Sequence, residues 1–444
     1  MSESLEKLFH AESLKEFAPL FQEAVKQYKD PKAFVTAAAD YLPLRLYEHY
    51  YQDSAPHSFF GLIAALWASQ SLFSKETHWR PVAQQSWFAT REKKRNPLPL
   101  EKVEGRTEGD EETRWASFRT SADAGDFQQA AAWAKGFLAK ESSRSFFRLR
   151  TLSHAMEDSF LGGHKAVYLH QAWKLAEALD WNGAEKVLAP ALHLLVLGQR
   201  DTALHEQIRG DLSAFSFGQG NGGISDGAYE ELEQALLFSD DAQSAVKALQ
   251  SLSSSGSSLE TAQQSLLIAA AQALCNSRPA QWIWPMRAFH FIQLAAPGRL
   301  DSSQQIPALV MGAAHLQRAS ARTRELEGNR SMDGLTHKMV PVEPLALLKS
   351  VVSHTDPYAS AIAVRAALSM GESGQAALLE TLSGLAVKND GEVCRGHDLL
   401  FIYELADAFK RSQHPQKDKL PVAAGFFLGR VPKVYELFGT LKDI

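Results

Sequence analysis

Apolar residues along this chain recur at intervals of three and four. Leu5, Leu8 and Phe9, then Leu14, Phe17, Leu20, Phe21 and Val25, keep the i, i+3, i+4 spacing that lays one stripe of a helix against a core. The opening MSESLEKLFHAESLKEF reads like an amphipathic helix, and His57–Phe73 is apolar on nearly every side, which predicts a central, buried one. The same period predicts helices over Phe127–Ala139, Lys165–Leu179, Gly183–Leu197, Tyr229–Phe238, Ser244–Leu252 and Leu259–Leu274. It returns at Ile306–Arg324, Pro344–Ser353, Tyr358–Met370, Gln375–Val387 and Asp398–Arg411. Runs of Val, Ile and Thr with period two are scarce, so no sheet is expected. The fold class is all-α.

The breaks between these segments are short. Arg91–Arg114 is charged, carries Pro97 and Pro99, and reads as a long exposed loop, solvated rather than a lid. Phe217–Gly227 and Ser251–Ser258 are Gly- and Ser-rich connectors. None divides stretches of different composition, so residues 1–444 are expected to form one helical domain. Three segments share a plan: PHSFFGLIAALWAS from Pro56, GHKAVYLHQAWKLAEAL from Gly163 and GHDLLFIYELADAF from Gly396. Each is a helix breaker, then a histidine, then a buried-looking helix. Their irregular spacing excludes a solenoid and suggests a closed bundle of helical hairpins.

Composition narrows the class. A chain of 444 residues with 45% hydrophobic content has ample material for a packed core, and a net charge of -5 offers no footprint for nucleic acid. The longest apolar stretches, Leu62–Ala68 and Ala189–Leu197, fall far short of the ~20 residues a membrane span needs. No secretory signal pattern opens the chain. The two cysteines, Cys275 and Cys394, cannot build a disulfide framework and suit a reducing compartment, so the expected location is the cytoplasm.

Familiar motifs fail on context. Gly218–Gly223 matches G-x-G-x-x-G, but no strand precedes it, as a dinucleotide site requires. His205-Glu206 does not extend to H-E-x-x-H, because position 209 is Arg. Cys394-Arg-Gly-His397 has no C-x-H partner, so no Rieske cluster can be assembled. Histidine placement remains. His57, His164 and His397 each begin a buried-looking helix directly after Pro or Gly, and His290 sits in the apolar segment WPMRAFHFIQLAAP. Helices around one axis can point such imidazoles at a common metal. Neutral imidazoles suit Fe(II), Zn(II), Mn(II) or Cu(II). His154 and Lys165 are further candidates. His170 stands six residues after His164, about 240° around the helix, so the two do not readily face one point. The competing reading makes each histidine an ordinary helix-start or core residue, and Lys165 a capping or snorkelling one.

The segments PHSFFG, GHKAVYLHQAWKLAEAL with DWNGAEKVLAPAL, and GHDLLFIYELADAFKR resemble the questin-oxidase-like family, helical oxygenases that open anthraquinone rings in fungal polyketide pathways. They also resemble a related set of bacterial helical domains, some joined to a Rieske domain. The resemblance implies a non-haem iron centre held largely by histidines, in some members with a carboxylated lysine as an additional ligand. His57, His164 and His397 match best, and His290 more loosely. Lys165 is the one lysine inside a matching segment.

The expected function is therefore a metal-dependent oxygenase, with Fe(II) on His57, His164, His290 and His397. It would act with dioxygen on an apolar, aromatic small molecule in the bundle core. Asp398 or Glu157 would be carboxylate partners of the ligands, and electrons would come from a separate donor protein. The alternative is a non-enzymatic helical scaffold that binds a partner protein, and a third class is a carrier for an apolar molecule or haem. Neither alternative needs the histidines to converge.

Overall fold

The computed structural model describes residues 3–42, 57–92, 103–218, 226–278, 281–324, 343–388 and 396–431, with Leu437 and Leu441. Among them the regular structure is helical, with 21 α-helices, short 3-10 turns and two isolated bridges in place of any strand. The first group is α1 (Glu3–Phe9), α2 (Leu14–Tyr28), α3 (Pro31–Tyr41), α4 (His57–Ser71) and α5 (Arg80–Arg91). There follow α6 (Glu111–Asp123), α7 (Phe127–Leu138), α8 (Glu141–Met156), α9 (His164–Ala178), α10 (Ala184–Leu197) and α11 (Ala203–Ile208). The middle holds α12 (Asp226–Phe238), α13 (Ala242–Ser254), α14 (Leu259–Asn276), α15 (Ile283–Ile292) and α16 (Ser302–Thr323). The chain continues with α17 (Pro344–Ser353), α18 (Pro357–Leu368), α19 (Gly371–Ala386), α20 (His397–Arg411) and α21 (Lys419–Arg430). No helix is long and apolar enough to cross a membrane.

Several elements depart from the periodicity. The N-terminal pattern is two helices, because Ser13 accepts a hydrogen bond from the Glu16 amide and caps α2. Helices α3, α5, α6, α8 and α21 were not legible as apolar stripes. In α8 the arginines obscure the stripe, yet Phe147, Leu152 and Ala155 are buried and Arg150 lies 5.2 Å over the Phe146 ring. The long loop is shorter than its charge suggests, since α6 takes up Glu111–Arg114. Its Val103–Arg106 part also lies on α7: Lys135 donates to the Val103 carbonyl, and the Arg106 amide donates to Ala132. Residues 93–102 lie outside the described part. Helix α13 likewise runs through Ser254, so the connector predicted from 251 begins only at Ser255. Of the connector near 217–227, residues 219–225 lie outside the described part.

What positions the site is a ring of four helices. Helix α4 packs on α9 and on α20, and α15 packs on both α9 and α20, which closes the ring. The turn that feeds α9 is tight. Leu161, Gly162 and Gly163 are left-handed in succession, with φ of 53°, 72° and 75°. A Cβ on Gly163 would stand 2.2 Å from the Phe291 ring of α15. Gly163→Ala therefore adds a left-handed penalty of ~1–2 kcal/mol to a steric overlap. A loss of at least about 2 kcal/mol is expected in denaturant melts, whereas Gly210→Ala, with open space around its Cβ, is the neutral control.

Candidate metal centre

Three of the four ring helices begin at the site. His57 opens α4, His164 opens α9 and His397 opens α20. Two of them use one local device: Gly163 (φ 75°) and Gly396 (φ 77°) are left-handed N-cap residues with no side-chain cap. A helical Cα–Cβ bond tilts toward the N-terminus, so an imidazole on the first residue overhangs the helix end rather than its flank. The glycine at 396 also permits close packing, with the Gly61 Cα of α4 only 3.4 Å from where its Cβ would stand. The fourth helix, α15, ends at the site and brings His290 in its last turn.

The three helix-start rings are mutually adjacent. Centroids are 5.5 Å apart for His57 and His164, 5.5 Å for His57 and His397, and 5.2 Å for His164 and His397. One ring nitrogen from each lies within 4.8 Å of the others. Metal–nitrogen bonds near 2.1 Å place ligand nitrogens about 3–4 Å apart, so small ring rotations suffice to close on one ion. His290 stands beside the trio, its ring 5.7 Å from His397 at an interplanar angle of 25°, outside the set within 4.8 Å.

All four side chains are buried. Burial holds His164 well below the usual imidazole pKa, and the Arg287 guanidinium and the other three histidines depress it further. It is neutral at pH 7, with its lone pair available to a cation. The Nε2 atoms of His164 and His290 are buried without a hydrogen-bond partner. Buried polar atoms are almost always paired, and a metal ion would satisfy both. The donor set thus fits a borderline divalent metal.

His290 has a carboxylate behind it. Its Nδ1 lies 2.7 Å from Glu404 Oε2, and both side chains are 1% exposed. With Nδ1–H donating to the carboxylate, Nε2 carries the lone pair. Glu404 is itself held: Arg299 donates to its other oxygen at 3.2 Å, and Gln293 donates to its backbone carbonyl at 2.9 Å. Glu404 escaped the sequence reading, although it stands two helical turns after His397 on one face of α20.

The other expected residues have partners of their own. Lys165 neither reaches the trio nor snorkels to solvent: it is 2% exposed, with its ammonium 2.6 Å from Asp158 and 2.9 Å from the Gly198 carbonyl. His154 faces Arg200, Asp123 and Glu157, with its Nδ1 3.3 Å from Arg200. Glu157 is paired with Arg119 and Arg200, not with any of the four histidines. Asp398 accepts from the Leu399 amide at 2.8 Å, as an acid at a helix start does. His170 is buried away from the trio near Arg299 and Arg148, as its angle on α9 requires. Cys394 lies outside the described residues. Cys275 is a buried thiol whose pKa burial pushes up to about 12, so it is inert.

Aromatic rings close the site. Tyr168 meets His164 edge-on at 4.2 Å, and Phe60 stacks on Tyr168 at 4.0 Å with planes 5° apart. Between these rings, Gln171, Leu400 and the histidines lies a narrow cavity with about 10 Å³ open to the centre of a water-sized sphere. That is room for about one water, whereas a cavity that takes benzene is about 150 Å³. As packed, the space beside the trio does not admit an aromatic substrate or haem. No protein-family model matches this chain, and neither does any curated protein or solved structure.

Proposed function

We propose that the chain is a metal-dependent oxygenase whose iron(II) is held by His57, His164 and His397, with His290 as the fourth nitrogen. The observation that carries this reading is the trio: three buried imidazoles whose ligand atoms lie within 4.8 Å of one another. An all-nitrogen set of this kind suits iron, zinc, manganese or copper rather than calcium or magnesium. Bound there, iron supplies one-electron chemistry with dioxygen, and three or four protein ligands leave a coordination position open. The chain's own residues do the rest. Glu404 keeps the His290 proton on Nδ1, and the Phe60–Tyr168 stack keeps bulk water out. An apolar, aromatic substrate matches the apolar walls Phe60, Tyr168 and Leu400 and would need these rings to move apart to reach the centre. Electrons beyond those of the substrate would come from a separate donor protein. The resemblance of the histidine segments to questin-oxidase-like oxygenases points the same way.

The test is metal content, by elemental analysis of protein purified without chelator or affinity nickel and then reconstituted anaerobically with Fe(II). About one iron per chain is expected, falling below about a tenth in His164→Ala, with oxygen uptake by the loaded protein on a screen of phenolic and quinone substrates. No bound metal after reconstitution would make the histidines core residues and favour the scaffold. Glu404→Gln is expected to weaken metal binding by about 10–100-fold, measured by competition with a chelator of known affinity, because the ring loses its orienting carboxylate.

A further inference from the structure

Gln171 lies on α9 seven residues after His164, so both project from one face of the helix. It is 2% exposed, its Oε1 is buried without a hydrogen-bond partner, and its side chain lines the cavity beside His57 and His397. An amide oxygen buried without a donor carries the full cost of its lost hydration. The cavity that Gln171 lines, about 10 Å³, has room for a ligand of about one heavy atom.

We propose that Gln171 accepts a hydrogen bond from a small protic ligand held on the open side of the histidine centre. The class is water, hydroxide or hydrosulfide. The proposal rests on the metal-centre reading above and adds to it the chemistry of what shares the metal. An acceptor oxygen discriminates by the hydrogen it requires. A ligand with an O–H or S–H satisfies Oε1, whereas an aprotic anion of the same size turns a lone pair toward it. With the amide so oriented, Gln171 is a positioning residue that favours a protic ligand over an aprotic one.

Two monatomic-sized anions separate these cases, hydrosulfide with a donor hydrogen and fluoride without one. Cobalt(II)-substituted protein is first checked for one cobalt per chain, and each anion is then titrated while the visible d–d bands are followed. In Gln171→Leu, hydrosulfide is expected to bind about tenfold more weakly, while fluoride binds no more weakly than to wild type. Comparing the change for each anion removes the metal's own preference between them. Gln171→Met is the second variant, chosen for its similar length. Equal losses for both anions, or no loss for either, would overturn the role of Gln171 and leave the metal centre standing. Failure of the wild type to bind cobalt would overturn the metal reading and this proposal with it. If neither variant folds, a crystal structure of the wild-type cobalt protein decides. A ligand oxygen within about 3.2 Å of Gln171 Oε1 supports the proposal, and an Oε1 satisfied by a protein donor overturns it.

Discussion

Between about pH 6 and about pH 4 the protein is expected to lose at least about 4 kcal/mol of stability per pH unit. The cause is a set of buried neutral histidines. Burial lowers His193 and His315 to about 3, and it lowers His414 to about 4. In the unfolded chain the same groups titrate near 6.5. Below that value the unfolded state takes up protons that the folded state refuses, so stability falls as pH falls. Each group contributes about 1.4 kcal/mol per pH unit, and the slope eases only near pH 4, where His414 begins to charge in place. His164 and His170, also held well below their usual values by burial, steepen the fall in the metal-free protein. At pH 5 the first three alone remove about 5–6 kcal/mol, comparable to the whole stability of many domains. Guanidinium melts from pH 7.5 to pH 5 measure this directly. His315→Leu should cut the slope contributed by these three by about a third, since the His315 Nε2 is buried without a partner and the apolar replacement loses no hydrogen bond there. A stability that stays level from pH 7 to pH 5 would contradict the buried neutral state of these rings.

Metal at a thousand times its dissociation constant is expected to stabilise the wild type by about 4 kcal/mol at pH 7.5. The metal-free site is a liability, because His164 Nε2 and His290 Nε2 lie out of reach of water with no partner. A ligand that binds only the folded state removes that cost. His164→Leu separates this from a packing role: it fills similar space beside Tyr168 but has no nitrogen to offer. The variant should lose the metal increment entirely while its metal-free stability stays within about 1 kcal/mol of wild type. A scaffold whose histidines merely pack would show no metal increment in the wild type and would give the variant and the wild type the same response to added metal. Urea midpoints with and without Fe(II) or Co(II) under nitrogen give both comparisons.

The helix-start pattern was the most informative local feature. Gly163-His164 and Gly396-His397 announce a left-handed cap followed by an overhanging ring, and both behave so in the structure. Periodicity sufficed for the all-α class because a helix needs one stripe of apolar residues, and α2, α13 and α20 show it without help from context. It failed for α6 and α8, where arginine stems lie over aromatic rings and the buried face carries charge. The neighbours of the ligand set were harder still. Lys165 follows His164 directly, but one residue turns a helix by about 100°, which carried its ammonium to Asp158 instead of the trio.

Convergence is a different kind of fact. His57, His164, His290 and His397 are far apart along the chain, and no local rule relates positions so distant. Their meeting follows from the closed ring of α4, α9, α15 and α20, in which three helices start at one point and the fourth ends there. The cavity size, the unpartnered Gln171 oxygen and the Glu404 carboxylate behind His290 arise only from that closure. By itself the sequence determined the helices and the imidazoles that overhang their ends, because dihedral preference and apolar periodicity act within a few residues. Tertiary packing alone decided which of those imidazoles share a point, because that depends on contacts between helices that are remote in the chain.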